Sequence, residues 1–275
     1  MDTLSSLTPT RPLVLVGAGK MGGAMLSGWL DSGLDPAAVI VVDPAPPSDT
    51  AATLAEAGIA ARPDVPAVVA RVLVVAVKPQ VMADVLPGLA PMVGPDTVVM
   101  SIAAGKTVAT FEAAFPGATV VRAMPNTPAQ VGRGITAAFG NSRVTEADRA
   151  LVSALLAAVG EVAWLDEEAM IDGVTAISGS GPAYVFHFVE CLAAAGAALG
   201  LPPELAARLA RASVEGGGEL LYQSALAPEQ LRKNVTSPGG TTAAALAVFM
   251  NEGALEKLVT EAARAAKRRS EELSG

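Results

Sequence analysis

From about residue 13 to residue 140 the chain alternates two textures. Short unbroken apolar runs, rich in Val and Ile, fill 13–16, 39–42, 72–77, 98–102, 119–121 and 135–139. Helix-like stretches such as 21–30 and 48–57 separate them. Unbroken rather than alternating runs mark strands covered on both faces, as in parallel sheets whose crossovers are helices. The first part, 1–166, is therefore expected to be an α/β domain of the doubly wound Rossmann type.

Past Asp166 the strand signal stops. Ala, Leu, Glu and Arg dominate, broken at Gly200-Leu201-Pro202-Pro203, Ala227-Pro228 and Ser237-Pro238-Gly239-Gly240, which read as helix junctions. Residues 167–275 are expected to form an all-α domain. Its stretch 181–201 is apolar nearly all round, as in a helix buried on every side. So small a domain can hardly enclose such a helix, so a partner chain is expected to cover part of it. The stretch is long enough to span a bilayer, but Glu190, His187 and the Ala and Gly filling favour a helix inside protein. Residues 1–12 lack the basic start and apolar core of a signal peptide and read as a short mobile tail.

Composition narrows the classes. Half the residues (51%) are apolar and 17% are charged, which excludes disorder. The net charge of −8 lacks the clustered cations of a nucleic-acid binder. One Cys and one His exclude a disulfide framework and a Cys/His zinc site, and no metal is expected. A lone buried thiol suits a reducing compartment, here the cytoplasm.

Gly17-Ala18-Gly19-Lys20-Met21-Gly22 stands directly after a strand and before a helix. Gly17 permits the tight turn, Gly19 admits a pyrophosphate and Gly22 lets the helix pack close to the sheet. Asp43 closes the second strand about 20 residues on, where a carboxylate accepts ribose hydroxyls and repels a 2′-phosphate. The next residues, 44–49, hold no Arg or Lys, so NADH is favoured, though Ser48 and loop backbone could still hold the phosphate of NADPH. Ala76-Val77-Lys78-Pro79 leaves a strand at the same edge; Lys78 reads either as a cofactor contact or as a solvated lysine. Ala103 and Ala104, and the Pro-bracketed Asn126, fit loops held close to a nicotinamide or plain turns.

In the second part, Ser237, Gly239 and Gly240 precede the run 243–250. Glycines before a helix present free N–H groups in a concave backbone, a carboxylate or phosphate site, with a Ser/Thr N-cap as the ordinary alternative. Ser178-Gly179-Ser180-Gly181-Pro182 reads as a second flexible turn, without the spacing of a nucleophile elbow. His187 and Cys191 share a helix face and are expected to pack in a core rather than act as a nucleophile pair. With no other imidazole, hydride transfer is favoured, in which a cofactor carries the chemistry.

Together with Ile177-Ser-Gly-Ser-Gly-Pro-Ala-Tyr184 and Asn234-Val-Thr-Ser-Pro-Gly-Gly-Thr-Thr242, the glycine loop and Ala76-Val77-Lys78-Pro79 resemble pyrroline-5-carboxylate reductase, which makes proline. The resemblance implies a Rossmann domain followed by a dimerisation domain, with dimers often assembled into a ring of five. It implies cofactor contacts at 17–22 and 76–79. Glu168, Asn234, Thr241 and Thr242 match positions touching substrate or cofactor, with Asn234 placed on the cofactor and Val235 beside the substrate. The family accepts NADPH as well as NADH, and an acidic Asp43 is not universal in it. The residues agree: the nest at Ser237, Gly239 and Gly240 would take the carboxylate of a cyclic imine acid, and Thr242 its ring nitrogen. In an interlocked dimer Thr242 would serve the partner's cofactor. A β-hydroxyacid dehydrogenase has a similar loop but puts a catalytic Lys where this chain has Val185. A non-catalytic sensor of NADH is the alternative from another class.

Overall fold

The structure, a computed structural model, describes residues 3–274. Its first part is an eight-stranded sheet in the order β3-β2-β1-β4-β5-β6-β7-β8. The strands are β1 (Leu13–Val16), β2 (Val39–Val42), β3 (Ala61–Arg62), β4 (Val72–Val75), β5 (Val98–Ser101), β6 (Thr119–Met124), β7 (Gly134–Gly140) and β8 (Gly160–Trp164). The first six run parallel, β7 is antiparallel to β6, and β8 is parallel to β7. Helices α1 (Lys20–Asp31), α2 (Ser48–Glu56), α3 (Met82–Leu89), α4 (Val108–Ala114) and α5 (Glu146–Ala157) accompany the strands.

The unbroken apolar runs serve two cores. Leu13, Leu15, Val72, Val74, Val98 and Met100 pack on one face with Met25, Trp29 and Leu155, from α1 and α5. Their neighbours Val14, Val16, Leu73, Val75 and Val99 pack on the other with Leu86 and Phe111, from α3 and α4. Successive strand residues point to opposite faces, so a strand with helices on both sides is apolar at nearly every position.

The sheet corrects several expectations. The run 135–139 is strand, but it reverses direction after a 3₁₀ segment, Thr127–Val131. Strand β8 escapes the apolar pattern because it is an edge strand whose residues are only half buried. The amino-terminal stretch is not a mobile tail from residue 3 onward: Thr3–Ser6 is a 3₁₀ turn, and Leu4 and Leu7 are buried in the first core. Met1 and Asp2 lie outside the described residues.

The second part is helical: α6 (Met170–Val174), α7 (Gly181–Ala198), α8 (Pro203–Gln223), α9 (Pro228–Asn234), α10 (Thr241–Met250) and α11 (Ala254–Ser274). A π-helical segment, Thr175–Gly179, replaces the expected flexible turn. The chain divides into two compact units, one running through Gly179 and including the segment from Ala266 onward, the other Ser180–Ala265.

Within the single chain α7 is not buried on every side. None of its residues is buried, and Gly196 packs against Ala206 of α8. His187 and Cys191 are exposed rather than packed in a core. The His187 side chain is 74% exposed, with Nδ1 2.9 Å from Glu190 Oε2 and Nε2 3.6 Å from Cys191 Sγ. No helix among the described residues is long and apolar enough to cross a membrane.

Candidate functional site

The sheet order changes direction between β1 and β4, and a doubly wound sheet binds its ligand at the carboxyl ends of strands beside such a point. Two segments singled out in the sequence meet there. Gly17 follows β1 with φ +89°, and a Cβ on it would lie 2.9 Å from the carbonyl carbon and oxygen of Ala76, just past β4. Gly22 sits over the Gly17 carbonyl oxygen so closely that a Cβ there would collide with it. Gly19 has open space where a Cβ would stand, and it begins α1 without a side-chain cap. The first-turn N–H groups of α1 thus keep no side-chain partner from the cap residue, and the helix dipole is positive at this end. These residues form a cradle that fits a dinucleotide pyrophosphate: Gly17, Ala18 and Gly19 as the loop, Lys20, Met21 and Gly22 as the first turn.

Asp43 follows β2 at the same edge. Its Oδ2 accepts the Ala18 N–H at 2.7 Å and its Oδ1 accepts the Ala45 N–H at 2.8 Å. Arg62, at the end of β3 and in register with Val42, lies next to it: the Asp43 N–H donates to the Arg62 carbonyl oxygen at 3.0 Å. Arg62 lies 19 residues beyond Asp43 in the chain, and only strand pairing brings it to this edge.

Other predicted residues take varied positions. Val77 is half buried, and Lys78 is exposed and opens a 3₁₀ turn at Pro79. Ala103 is buried, its N–H donating to Ser101 Oγ at 3.3 Å, while Ala104 is exposed. Their loop turns at Gly105, where a Cβ would press on the Leu273 backbone. Asn126 is a buried tie rather than a free amide. Its Nδ2 donates to the Ser178 carbonyl at 3.2 Å and its Oδ1 accepts the Ile135 N–H at 3.0 Å.

Glu168 is more committed than a free substrate contact. Its Oε1 accepts the Val108 N–H, at the start of α4, at 2.8 Å and Arg122 Nη1 at 2.9 Å. The Arg122 side chain is only 4% exposed, so this carboxylate neutralises a charge buried in β6. Sequence reading missed Arg122; a cation inside the apolar strand Thr119–Met124 was the available signal.

In the second unit the nest has the expected backbone. Gly240 N–H closes a turn onto the Ser237 carbonyl at 3.1 Å, with Pro238 second and Gly239, at φ +70°, third. Gly240 is the N-cap of α10 and makes no side-chain cap, so the Ser/Thr N-cap alternative does not hold. Thr241 and Thr242 occupy the first turn, with Thr242 half buried. Asn234 ends α9, its Oδ1 accepting Gln230 Nε2 at 2.8 Å, and Val235 after it is exposed.

Residues 168–273 match the family described as pyrroline-5-carboxylate reductase dimerisation. Residues 12–105 match the family described as NADP oxidoreductase, coenzyme F420-dependent. The pyrroline-5-carboxylate reductase of Pseudomonas aeruginosa is 39% identical over 272 residues, 96% of this chain and 97% of that protein. The solved pyrroline-5-carboxylate reductase of Coxiella burnetii superposes with a TM-score of 0.88 at 34% identity, covering 97% of this chain and 99% of that one. The Plasmodium falciparum pyrroline carboxylate reductase, solved with NADP bound, does so with a TM-score of 0.76 at 28% identity, covering 98% and 100%. The likeness to the Pseudomonas and Coxiella proteins takes in glycine loop, sheet and helical unit alike, and the chain belongs to the pyrroline-5-carboxylate reductase family.

Proposed function

We propose that this chain reduces 1-pyrroline-5-carboxylate to L-proline with a reduced nicotinamide dinucleotide. The observation that carries the reading is that a chain of this family has an uncapped glycine loop after β1 in one unit and an uncapped helix start at Gly240 in the other. When bound, the nicotinamide would supply the hydride that turns the CH=N carbon of the protonated imine into the CH2 beside the ring nitrogen. The chain's own residues bind and orient. The turn at Ser237, Gly239 and Gly240 and the first N–H groups of α10 take the substrate carboxylate. The Thr242 hydroxyl, which can donate and accept, holds the ring nitrogen. A protonated imine is already electrophilic, so no strong general acid is needed. Glu168, whose Oε1 holds Arg122 and the Val108 N–H, keeps Oε2 as an acceptor for the substrate role the resemblance gives it; Asn234, Val235 and Thr241 are assigned contacts on the same ground.

On the cofactor side we assign 17–22, Asp43, 76–79, Ala103, Ala104 and Asn234. The Asp43 charge favours NADH, and Arg62 one strand further out offers the cation that a 2′-phosphate would meet, which supports use of NADPH as well. The dimerisation region supports a homo-oligomer; a homodimer, five of which close a ring, working in the cytoplasm, is the assembly we propose. The deciding assay follows NADH and NADPH oxidation at about 340 nm with pyrroline-5-carboxylate. Substrate-dependent oxidation is expected. Equal or faster turnover of a β-hydroxy acid, or binding without turnover, would overturn the reading.

A further inference from the structure

We infer that Asp43 is a positioning residue that sets the glycine loop for the pyrophosphate, in addition to meeting the ribose. The inference rests on the reading of this sheet edge as a nicotinamide-dinucleotide site. Ordinarily the carboxylate after β2 is regarded as a reader of the ribose hydroxyls. Here both of its oxygens already take backbone donors.

The end of β2 is stitched on both sides. Toward β1, the Gly17 N–H donates to the Val42 carbonyl at 2.9 Å; toward β3, the Asp43 N–H donates to the Arg62 carbonyl at 3.0 Å. With its backbone so fixed, the Asp43 side chain folds over a short turn, Oδ1 on the Ala45 N–H at 2.8 Å. That turn aims Oδ2 at the Ala18 N–H, 25 residues away in sequence, at 2.7 Å. A bond this short to an ionised acceptor is of the charge-assisted kind.

Ala18 is the middle residue of the loop and is fully buried. Its N–H is turned inward to Asp43, which fixes the peptide plane between Gly17 and Ala18. The orientation of that plane decides where Gly19 and the first turn of α1 present their N–H groups. Without the carboxylate, the Ala18 N–H would be left buried and unpaired, or the loop would rotate to expose it; either is costly. Each carboxylate oxygen has a second acceptor direction, so the ribose hydroxyls can still be met.

The two roles have opposite consequences for NADPH. If Asp43 only reads the ribose, removing it relieves repulsion of the 2′-phosphate and NADPH binds as well or better. If Asp43 also holds the loop, removing it weakens NADPH and NADH together, because both present the same pyrophosphate.

The test uses the full chain with Asp43→Ser and Asp43→Asn; Asn keeps the size but loses the charge and one acceptor. Affinity for NADH and for NADPH is measured by fluorescence without substrate, and amide exchange across 16–20 is followed in the cofactor-free protein. Exchange at Ala18 is expected to rise roughly tenfold or more, the loss of about one hydrogen bond. Both cofactors should bind more weakly to both variants, Asn losing less than Ser, and with substrate present the loss should fall on the cofactor KM more than on kcat. NADPH bound by Asp43→Ser as tightly as by the wild type, or unchanged exchange at Ala18, overturns the inference. A wild type that binds neither cofactor instead defeats the reading of the site, and the exchange measurement still decides whether Asp43 holds the loop.

Discussion

Gly17 and Gly22 show what a single missing side chain does. At Gly17 both the positive φ and the 2.9 Å approach of the Ala76 backbone exclude a Cβ. Gly17→Ala is therefore expected to weaken cofactor binding by at least an order of magnitude and to lower the melting temperature, read by titration and calorimetry. Such glycines are legible in a sequence because the geometry they permit admits no other residue. Arg122 and Glu168 were not legible as a pair, since 46 residues separate them and only the sheet brings them together. Nor did spacing reveal that Asn126 ties its loop to Ser178. At Thr242, half buried in the first turn of α10, replacement by Ala should lower kcat/KM by roughly 10- to 100-fold, as one hydrogen bond to a charged group would. A loss under threefold would remove Thr242 from the proposed chemistry.

Secondary elements were legible where both faces are covered, as in β1 and β4, since burial on two sides makes every position apolar there. They were obscure where one face is open, as in the edge strand β8, and where two residues suffice, as in β3. The amino-terminal 3₁₀ turn hid for another reason: two leucines, Leu4 and Leu7, anchor it, with no periodicity to betray them. Helix α5 carries a device with a pH signature. Its N-cap Thr145 and Asp148 form a reciprocal capping box, and Asp148 Oδ1 also pairs with Arg71 Nη2 at 2.8 Å. Burial alone would push the Asp148 carboxyl up; hydrogen bonds from Thr145 and Arg71 outweigh it and hold it below the usual carboxylate range. A depressed carboxyl stabilises the fold above its unfolded-state value and loses that contribution as pH falls through the folded-state value. Asp148→Asn should therefore lower the melting temperature by roughly 2–6 °C at neutral pH, with the gap to wild type closing in acid. A gap that persists unchanged as acid titrates the carboxylate would show that the charge contributes nothing.

At the scale of the molecule, the two apolar cores both lie in the first unit, whereas in the second only Ala206 and Ala210 are buried hydrophobics. Phe186, Leu220, Val248 and Leu258 are each more than 60% exposed in the single chain. Apolar surface on that scale marks an interface, and the matched dimerisation family names its kind. Light scattering should find no monomer at micromolar concentration, and the melting temperature should rise with protein concentration. A monomer with full activity would contradict it. The sequence pointed to this through the stretch 181–201, apolar nearly all round in a unit too small to enclose it, so that a lone chain would expose it, and no residue of α7 is buried. The last turns of α11 belong with the first unit: Ser270 Oγ donates to Asp172 Oδ1 at 2.6 Å, and the Leu273 carbonyl abuts Gly105. Synthesis runs from the amino end and domains ordinarily fold as they emerge. This first unit cannot be finished until Leu273, the prop behind its Gly105 loop, has been added far downstream of the sheet. A nascent chain stalled before Ala266 should leave that loop open to protease, and release of the full chain should close it.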